Sequence, residues 1–459
     1  MELEKPHTIV SIIKLSDFLM LEKGRMKKRL LSLFSGCGGM DLGFEGGFEV
    51  FEESINENIH TNWITQKKGR KVLLSSTCFE TVFANDILPF AKTVWNTNFN
   101  FNKKLPSLFH LESIVDLVKK HHANEYNFPK NIDVVTGGFP CQDFSLSGKR
   151  KGFNSHKSHL GKIEEPAKNP ENENRGLLYT WMKEVISIVK PKVFIAENVK
   201  GLVSLGNVKD IIEKDFGNID GDGYFVMPAR VLHSAEYGVP QSRERVFFIG
   251  LNRRYLKKTA INEFFKNPIP IDYDPYPYPT HIRKRPNSLD YIFKSQLKPF
   301  VTINTALSGL KEPSEEKDDL SQMHYSGAKY YGKMQGNTEI KLNDIGPTIR
   351  SEHHGNIEFR RLAKVNGGII QAELDKGLIE RRLTVRECAR IQTFPDSFTF
   401  VSNGGTDPNN KVSGSSCYKL IGNAVPPLLA YHFAKRLELI WDNLFVKQKG
   451  LIVKQIKEI

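Results

Sequence analysis

Between residues 29 and 251, short apolar runs take turns with amphipathic stretches, and this alternation restricts the fold more than any other feature of the chain. Arg29–Phe34 (RLLSLF), Thr81–Ala84, Ile132–Thr136, Val193–Ala196 and Arg245–Leu251 (RVFFIGL) are each bounded by Gly, Asp, Asn or Pro. Runs of this length without polar alternation are how strands covered on both faces look. Leu178, Trp181, Met182, Val185, Ile188 and Val189 recur at three- and four-residue intervals, which predicts a helix with one apolar face. Strands alternating with helices imply an α/β domain with a mostly parallel sheet covered on both sides.

The rest of the chain reads differently. Pro268–Pro279 (PIPIDYDPYPYP) cannot continue a helix or a central strand, and basic clusters flank it at Arg253, Arg254, Lys257, Lys258 and at Arg283, Lys284, Arg285. The shift predicts a second, smaller domain over 252–380. Helical spacing resumes beyond Arg381, first at Leu383, Val385, Cys388 and Ile391, then at Val425, Leu428, Leu429 and Phe433. The expected division is an N-terminal extension (1–28), a first domain part (29–251), the second domain (252–380), a C-terminal part (381–445) and a tail (446–459). Gly152–Arg175 is polar and charged and is expected to be a long loop.

Composition narrows the partners. Lys and Arg number 65 against 52 acidic residues, a formal charge of +13 that suits a polyanion. The five cysteines include no CxxC pair, so neither a disulfide framework nor a metal site is expected. No run approaches the roughly 18 apolar residues a membrane span needs. The acidic Glu2, Glu4 and Asp17 make a poor signal peptide, so the expected setting is the cytoplasm with no membrane partner.

Four groups of residues carry candidate chemistry. Phe34-Ser-Gly-Cys-Gly-Gly39 follows the first strand, where a glycine turn lets backbone approach a nucleotide; it is equally a tight structural turn. Asp86, ending the next strand, is positioned to accept ribose hydroxyls or simply to cap a helix. Cys141, in Gly137-Gly-Phe-Pro-Cys141-Gln142, lies in a Gly/Pro loop at a strand's carboxyl end, where a thiolate can be exposed; a lone cysteine is otherwise a small buried hydrophobe. Glu197, in Ala196-Glu-Asn-Val199, follows a strand facing the same crevice, and partial burial could keep it protonated. Arg243 and Arg245, two apart on an extended segment, point to one face as fixed donors, or else are halves of surface ion pairs.

Read in order, these blocks resemble the DNA (cytosine-5) methyltransferase family, of the bacterial type II modification kind. The resemblance rests on Phe-x-Gly-x-Gly-Gly, Pro-Cys-Gln, Glu-Asn-Val and Gln-x-Arg-x-Arg. A variable segment follows, then Arg382-Leu-Thr-x-Arg386-Glu-x-x-Arg390-x-Gln-x-Phe-Pro395 and Gly422-Asn423-Ala-Val-Pro426. It covers about 29–251 and 381–436, and the family places its target-recognition domain in the stretch between. The resemblance implies a Rossmann-like methyltransferase fold. It also implies transfer of a methyl group from S-adenosyl-L-methionine to C5 of a flipped cytosine in double-stranded DNA.

The resemblance further implies that Cys141 attacks C6, that Glu197 holds the base, and that Arg245 and Arg243 fix its carbonyl. Phe34, Cys37, Gly39, Asp86, Ile87, Ile114, Pro140, Leu178, Asn423, Ala424 and Val425 are the implied cofactor contacts, and Ser145, Ser147, Lys149 and Arg150 the implied DNA contacts. Extra residues precede Asp86, for which Glu53 is a rival, and Ser113 beside Glu112 stands where the family commonly has an Asp. Tyr325, Tyr330, Tyr331, Arg350, His353, His354 and Asn356 suit base edges. A cognate restriction endonuclease as functional partner and a monomeric state complete the expectation; the rival activity is transfer-RNA cytosine-5 methylation.

Overall fold

The computed structural model describes residues 27–99, 107–140, 178–221, 223–283, 296–332, 336–351, 357–404 and 411–446. The chain begins with β1 (Lys28–Leu33) and α1 (Gly39–Glu45), then three short strands, β2 (Glu49–Phe51), β3 (Ile64–Lys68) and β4 (Lys71–Leu74). There follow β5 (Phe79–Asp86), α2 (Pro89–Phe99), β6 (Phe109–Leu111), α3 (Ile114–His122), β7 (Val134–Gly138), α4 (Leu178–Val189), β8 (Val193–Val199), α5 (Val208–Gly217), β9 (Tyr224–His233) and β10 (Glu244–Asn252). Seven strands form one sheet in the order β6-β5-β1-β7-β8-β10-β9. All pairings are parallel except those of β10, which runs antiparallel to both neighbours.

Alternate residues of each strand supply opposite cores. Leu30, Val134, Val193, Ile195, Phe247 and Ile249 face one layer, whereas Leu31, Val135, Phe194, Ala196, Val246 and Phe248 face the other. Helices α3, α4 and α5 cover the second layer. On α4 the fully buried stripe is Leu178, Tyr179, Met182, Val185 and Ile186, while Trp181, Ile188 and Val189 are only partly buried. The stripe is thus rotated from the one the apolar spacing predicts, because Tyr179 packs on Phe139 and Phe216 as well as donating its hydroxyl to Asp215.

Helix α6 (Val385–Ile391) opens on a reciprocal capping box between Thr384 and Glu387, and is followed by α7 (Gly414–Asn423) and α8 (Pro427–Leu444). Helix α8 returns to the first layer: Leu428, Leu429, Phe433, Leu437 and Ile440 share a core with β1, β7, β8 and β10. The proline-rich stretch stays on that core too, with Tyr276 donating its hydroxyl to the Phe247 carbonyl at 2.8 Å. A third core joins Ile303, Ala306, Ile340, Ile349 and Ile357 to α6 and α7, and to Trp95 and Phe109 of the first half. Arg382, wholly buried, donates to the carbonyls of Ala328, Gly336 and Ile357 and to Asn337, pinning the loops around that core.

Three imidazoles lie where β2–β4 meet α8. His60 stacks on Trp63 with 3.6 Å between ring centroids, and His432 meets the same indole edge-on. Burial pushes His60 and His281 down to about 4 and His432 well below the usual imidazole range, with mutual repulsion and Lys435 acting in the same direction. A folded-state value below the unfolded one, about 6.5, gives stability that is complete above that value and is lost as pH falls through the folded value. The thermal midpoint is therefore expected to drop progressively from about pH 6.5 toward pH 4. A midpoint flat across that interval would show that these rings take up protons without cost.

Candidate active site

The carboxyl ends of β1, β5, β6, β7 and β8 all lie at one edge of the sheet because these strands are parallel, and this is where α/β sheets gather ligands. The antiparallel run of β10 delivers its first residues to the same edge, with Arg245 paired to Val199 and Phe247 to Glu197. A cavity of about 510 Å³ opens there.

Phe34, Gly36 and Gly39 form one wall. Gly36 and Gly38 both adopt positive φ, and Phe34 does so at 52°. A side chain at Gly39 would strike the Val425 carbonyl, so the close approach of the glycine turn to the 423–425 segment needs this residue. Asp86 lies in the wall at the end of β5. Its carboxylate accepts from Gly36 N at 3.0 Å and Leu88 N at 3.1 Å, so it ties the glycine turn and caps the following turn while facing the cavity. Burial pushes its carboxyl up, against the backbone amides that pull it down. Ser113 also faces the cavity while its hydroxyl caps α3 by accepting from Val115 N; its neighbour Glu112 is drawn off into an ion pair with Lys120.

Ile87, Ile114, Pro140, Leu178, Asn423, Ala424 and Val425 line the same cavity. Cys37 does not. Flanked by the two left-handed glycines, its side chain turns inward, with Sγ 3.8 Å from the Leu420 carbonyl, and burial drives its thiol far above the ordinary range.

Glu197 lies deep in the same cavity and is buried. Its Oε1 is 2.9 Å from Nε of Arg245. Burial, the strongest influence, pushes the Glu197 carboxyl above its usual range, opposed by the Arg245 and Arg243 guanidinium groups. Arg245 also donates to the Glu244 carbonyl at 2.8 Å. Arg243 behaves differently: it is fully buried, does not line the cavity, and donates to the carbonyls of Ile349 (3.2 Å) and Gly422 (3.0 Å). The two arginines diverge because β10 starts only at Glu244; Arg243 sits in a turn in which its amide reaches the Gln241 carbonyl. Arg243→Ala is expected to cost about 3 kcal/mol in urea unfolding, since two buried carbonyls lose a charged donor. A loss within about 0.5 kcal/mol would mean that those carbonyls find other donors.

Two residues of the site carry work that their motifs alone did not reveal. The Asn198 amide donates to the Phe139 carbonyl at 3.3 Å, fastening β8 to the segment that leads into Cys141. Gln392 donates to the Ala424 carbonyl at 2.6 Å and meets the Gln241 side chain, locking the 423–425 wall to the turn before β10. Each stood in a motif block, Glu-Asn-Val or Arg-x-Gln-x-Phe-Pro, which marks the residue without saying what it bonds. Cys141, Ser145, Ser147, Lys149 and Arg150 lie outside the described residues, as do His353, His354 and Asn356. Arg350 faces the cavity but is engaged with Glu358 at 3.1 Å, whereas Tyr325 and Tyr331 are exposed.

Comparison with known proteins agrees along nearly the whole length. The family model for C-5 cytosine-specific DNA methylase matches residues 28–439. The type II methyltransferase M.BspRI of Lysinibacillus sphaericus is 31% identical, over 90% of this chain and 81% of its own. M.FnuDI of Fusobacterium nucleatum is 29% identical, over 94% and 98%. Among solved structures the S. pombe Dnmt2 methyltransferase aligns with a TM-score of 0.48 at 16% identity, covering 90% of this chain and 99% of its own. With a family match this long, the chain belongs to the C-5 cytosine-specific DNA methylase family and is a DNA cytosine-5 methyltransferase.

Proposed function

We propose that the protein methylates C5 of a cytosine flipped out of a specific double-stranded DNA sequence, using S-adenosyl-L-methionine and a transient covalent bond from Cys141 to C6. The observation that carries this reading is a single cavity bearing the glycine turn and Asp86 together with the buried Glu197–Arg245 pair. Its size falls within the roughly 300–1,000 Å³ usual for small-molecule sites. The apolar Phe34, Ile114 and Leu178 beside the Asp86 carboxylate suit a nucleoside with ribose hydroxyls, so the residues present fit the cofactor. Bound there, S-adenosyl-L-methionine supplies an electrophilic methyl group.

The chain's own residues supply the rest. The Cys141 thiolate adds to C6, and the electron pair of the C5–C6 double bond moves to make C5 nucleophilic. Glu197, whose carboxyl burial pushes up, donates to N3 in its protonated form and accepts from the exocyclic amine, offsetting the charge that develops on addition. Arg245 aligns Glu197 and reaches the base carbonyl. After C5 is methylated, its proton passes to water or a nearby base, and the S–C6 bond breaks to return the thiolate. In a duplex N3 is engaged in pairing and both faces of the C5–C6 bond are covered by the stacked neighbours, which is why the base must leave the helix. Ser145, Ser147, Lys149 and Arg150 are assigned to phosphate contacts, and target reading to 252–380. Protection of host DNA from a cognate restriction endonuclease, by a cytoplasmic monomer, is the corresponding biological role.

The test supplies tritiated S-adenosyl-L-methionine with either unmethylated duplex DNA or transfer RNA. Label is expected in the duplex, with bisulfite sequencing placing it at one sequence; label in RNA alone would end this reading.

A further inference from the structure

The strands β2, β3 and β4 belong to the extra stretch ahead of Asp86 and form a small sheet of their own, in the order β2-β4-β3. None of the chemistry above uses them. Their cations are largely spent internally: Lys67 pairs with Glu52 and Glu57, Lys68 with Glu49, and Arg70 with Glu53. A hairpin so neutralised is poorly suited to gripping phosphates.

What the stretch does touch is the crossing between the two halves of the molecule. The chain leaves the first-layer core after Tyr276 and joins the third core at Ile303, passing through the paired segments β11 (His281–Ile282) and β12 (Lys298–Pro299). Residues 53, 55 and 56 fasten this passage, while residue 54 packs on the turn that follows β9. The Glu53 carbonyl lies 3.0 Å from His281 Nε2, whose other ring nitrogen is 2.8 Å from the Thr280 hydroxyl. A carbonyl can only accept, so Nε2 carries the proton and Nδ1 receives the hydroxyl. The Ser54 carbonyl lies so close to Gly238 that a side chain there would collide with it. The Ile55 carbonyl accepts from Lys298 Nζ at 2.6 Å. The Asn56 amide, nearly inaccessible to solvent, donates to Thr280 O at 2.9 Å and Gln296 O at 2.6 Å, joining the outgoing and returning segments. A second anchor lies further along, where Lys71 on β4 pairs with Asp396, which Arg390 of α6 grips through two bonds of 2.7 Å.

We infer that residues 52–80 form a brace that fixes the angle of the recognition half against the catalytic half, with Asn56 as its main positioning residue. The inference rests on the reading of 252–380 as the DNA-reading segment. An amide bonded to two carbonyls of the crossing holds both segments against one point of the catalytic half, so the recognition surface meets the duplex in one orientation and little binding energy goes into ordering it.

The experiment uses the full chain, measuring methyl transfer to unmethylated plasmid DNA alongside amide hydrogen exchange. Asn56→Asp turns a donor into an acceptor facing two carbonyls. It is expected to raise KM for DNA about ten-fold, leave KM for S-adenosyl-L-methionine within about two-fold, and speed exchange at Lys298 and Phe300. Lys298→Met, a milder lesion, is expected to move the same quantities in the same directions by about two- to three-fold. Unchanged KM for DNA in both variants, or equal rises in both KM values, overturns the brace. A wild-type protein that leaves the plasmid unmethylated would overturn the reading on which the brace rests, and the brace with it; a failure of the brace alone leaves the wild type active.

Discussion

Cys141→Ser is expected to abolish methyl transfer to duplex DNA while leaving cofactor and duplex binding close to that of the parent protein. A serine hydroxyl occupies nearly the same space, but its proton is held far too tightly for the oxygen to add to C6 at neutral pH, whereas a thiol titrates near 8.5 and is brought lower by nearby cations. The cavity wall is expected to stay as it is, because Pro140 lines it and Asn198 holds the Phe139 carbonyl without help from residue 141. Loss of a nucleophile in other covalent enzymes costs on the order of 10⁴–10⁶-fold, so transfer should fall to background. The decisive measurement is a duplex carrying 5-fluorocytosine at the mapped target, where C5 has no proton to release and the protein stays attached. The parent is expected to form a denaturation-resistant adduct whose cross-linked peptide contains residue 141, and the serine variant none. An adduct mapping to any other residue, or transfer persisting above about 1% of the parental rate, would remove the covalent step from the mechanism.

The architecture behind that step was largely legible in the chain. Strands such as Val193–Val199 and Glu244–Asn252 are apolar on both faces, and each face has its own helices to meet, so the pattern carries both location and burial. The polar residue ending each run, Asp86 or Glu197, lies at the sheet edge because parallel strands end together. Less legible was β9, Tyr224–His233, an edge strand with only three of its ten residues buried and with a proline inside it, a pattern that reads equally as loop. The β2–β4 sheet was invisible for a related reason: its strands are three to five residues long, and β3 is largely exposed.

The site was harder to read where backbone conformation, not residue type, decides direction. Cys37 belongs to the right loop, yet two left-handed glycines turn its thiol toward Leu420 and away from the cavity. Arg243 and Arg245 have the spacing of neighbours on one strand face, but the strand begins between them. One arginine therefore clamps Ile349 and Gly422, and the other meets Glu197. Sequence spacing states what two side chains share only if the backbone between them is regular.

Glu197→Gln is expected to lower kcat by roughly 10²–10⁴-fold with KM for S-adenosyl-L-methionine nearly unchanged, the usual range for removing a positioned proton donor. Glutamine keeps the shape and can still donate one amide hydrogen toward N3, but it cannot pass a proton as the ring accepts the thiolate. The pH profile separates this role from simple packing. Burial raises the Glu197 carboxyl while Arg245, 2.9 Å away, restrains it, so the protonated, active fraction shrinks as pH climbs through that raised value. The parent should therefore show an alkaline decline in kcat that the Gln variant lacks. Arg245→Leu removes the restraining cation, so the carboxyl should hold its proton to higher pH and the decline should move upward, even as loss of the guanidinium lowers the rate. An alkaline limb that stays in place in both variants would assign it to another group and leave Glu197 as a hydrogen-bonding wall of the pocket.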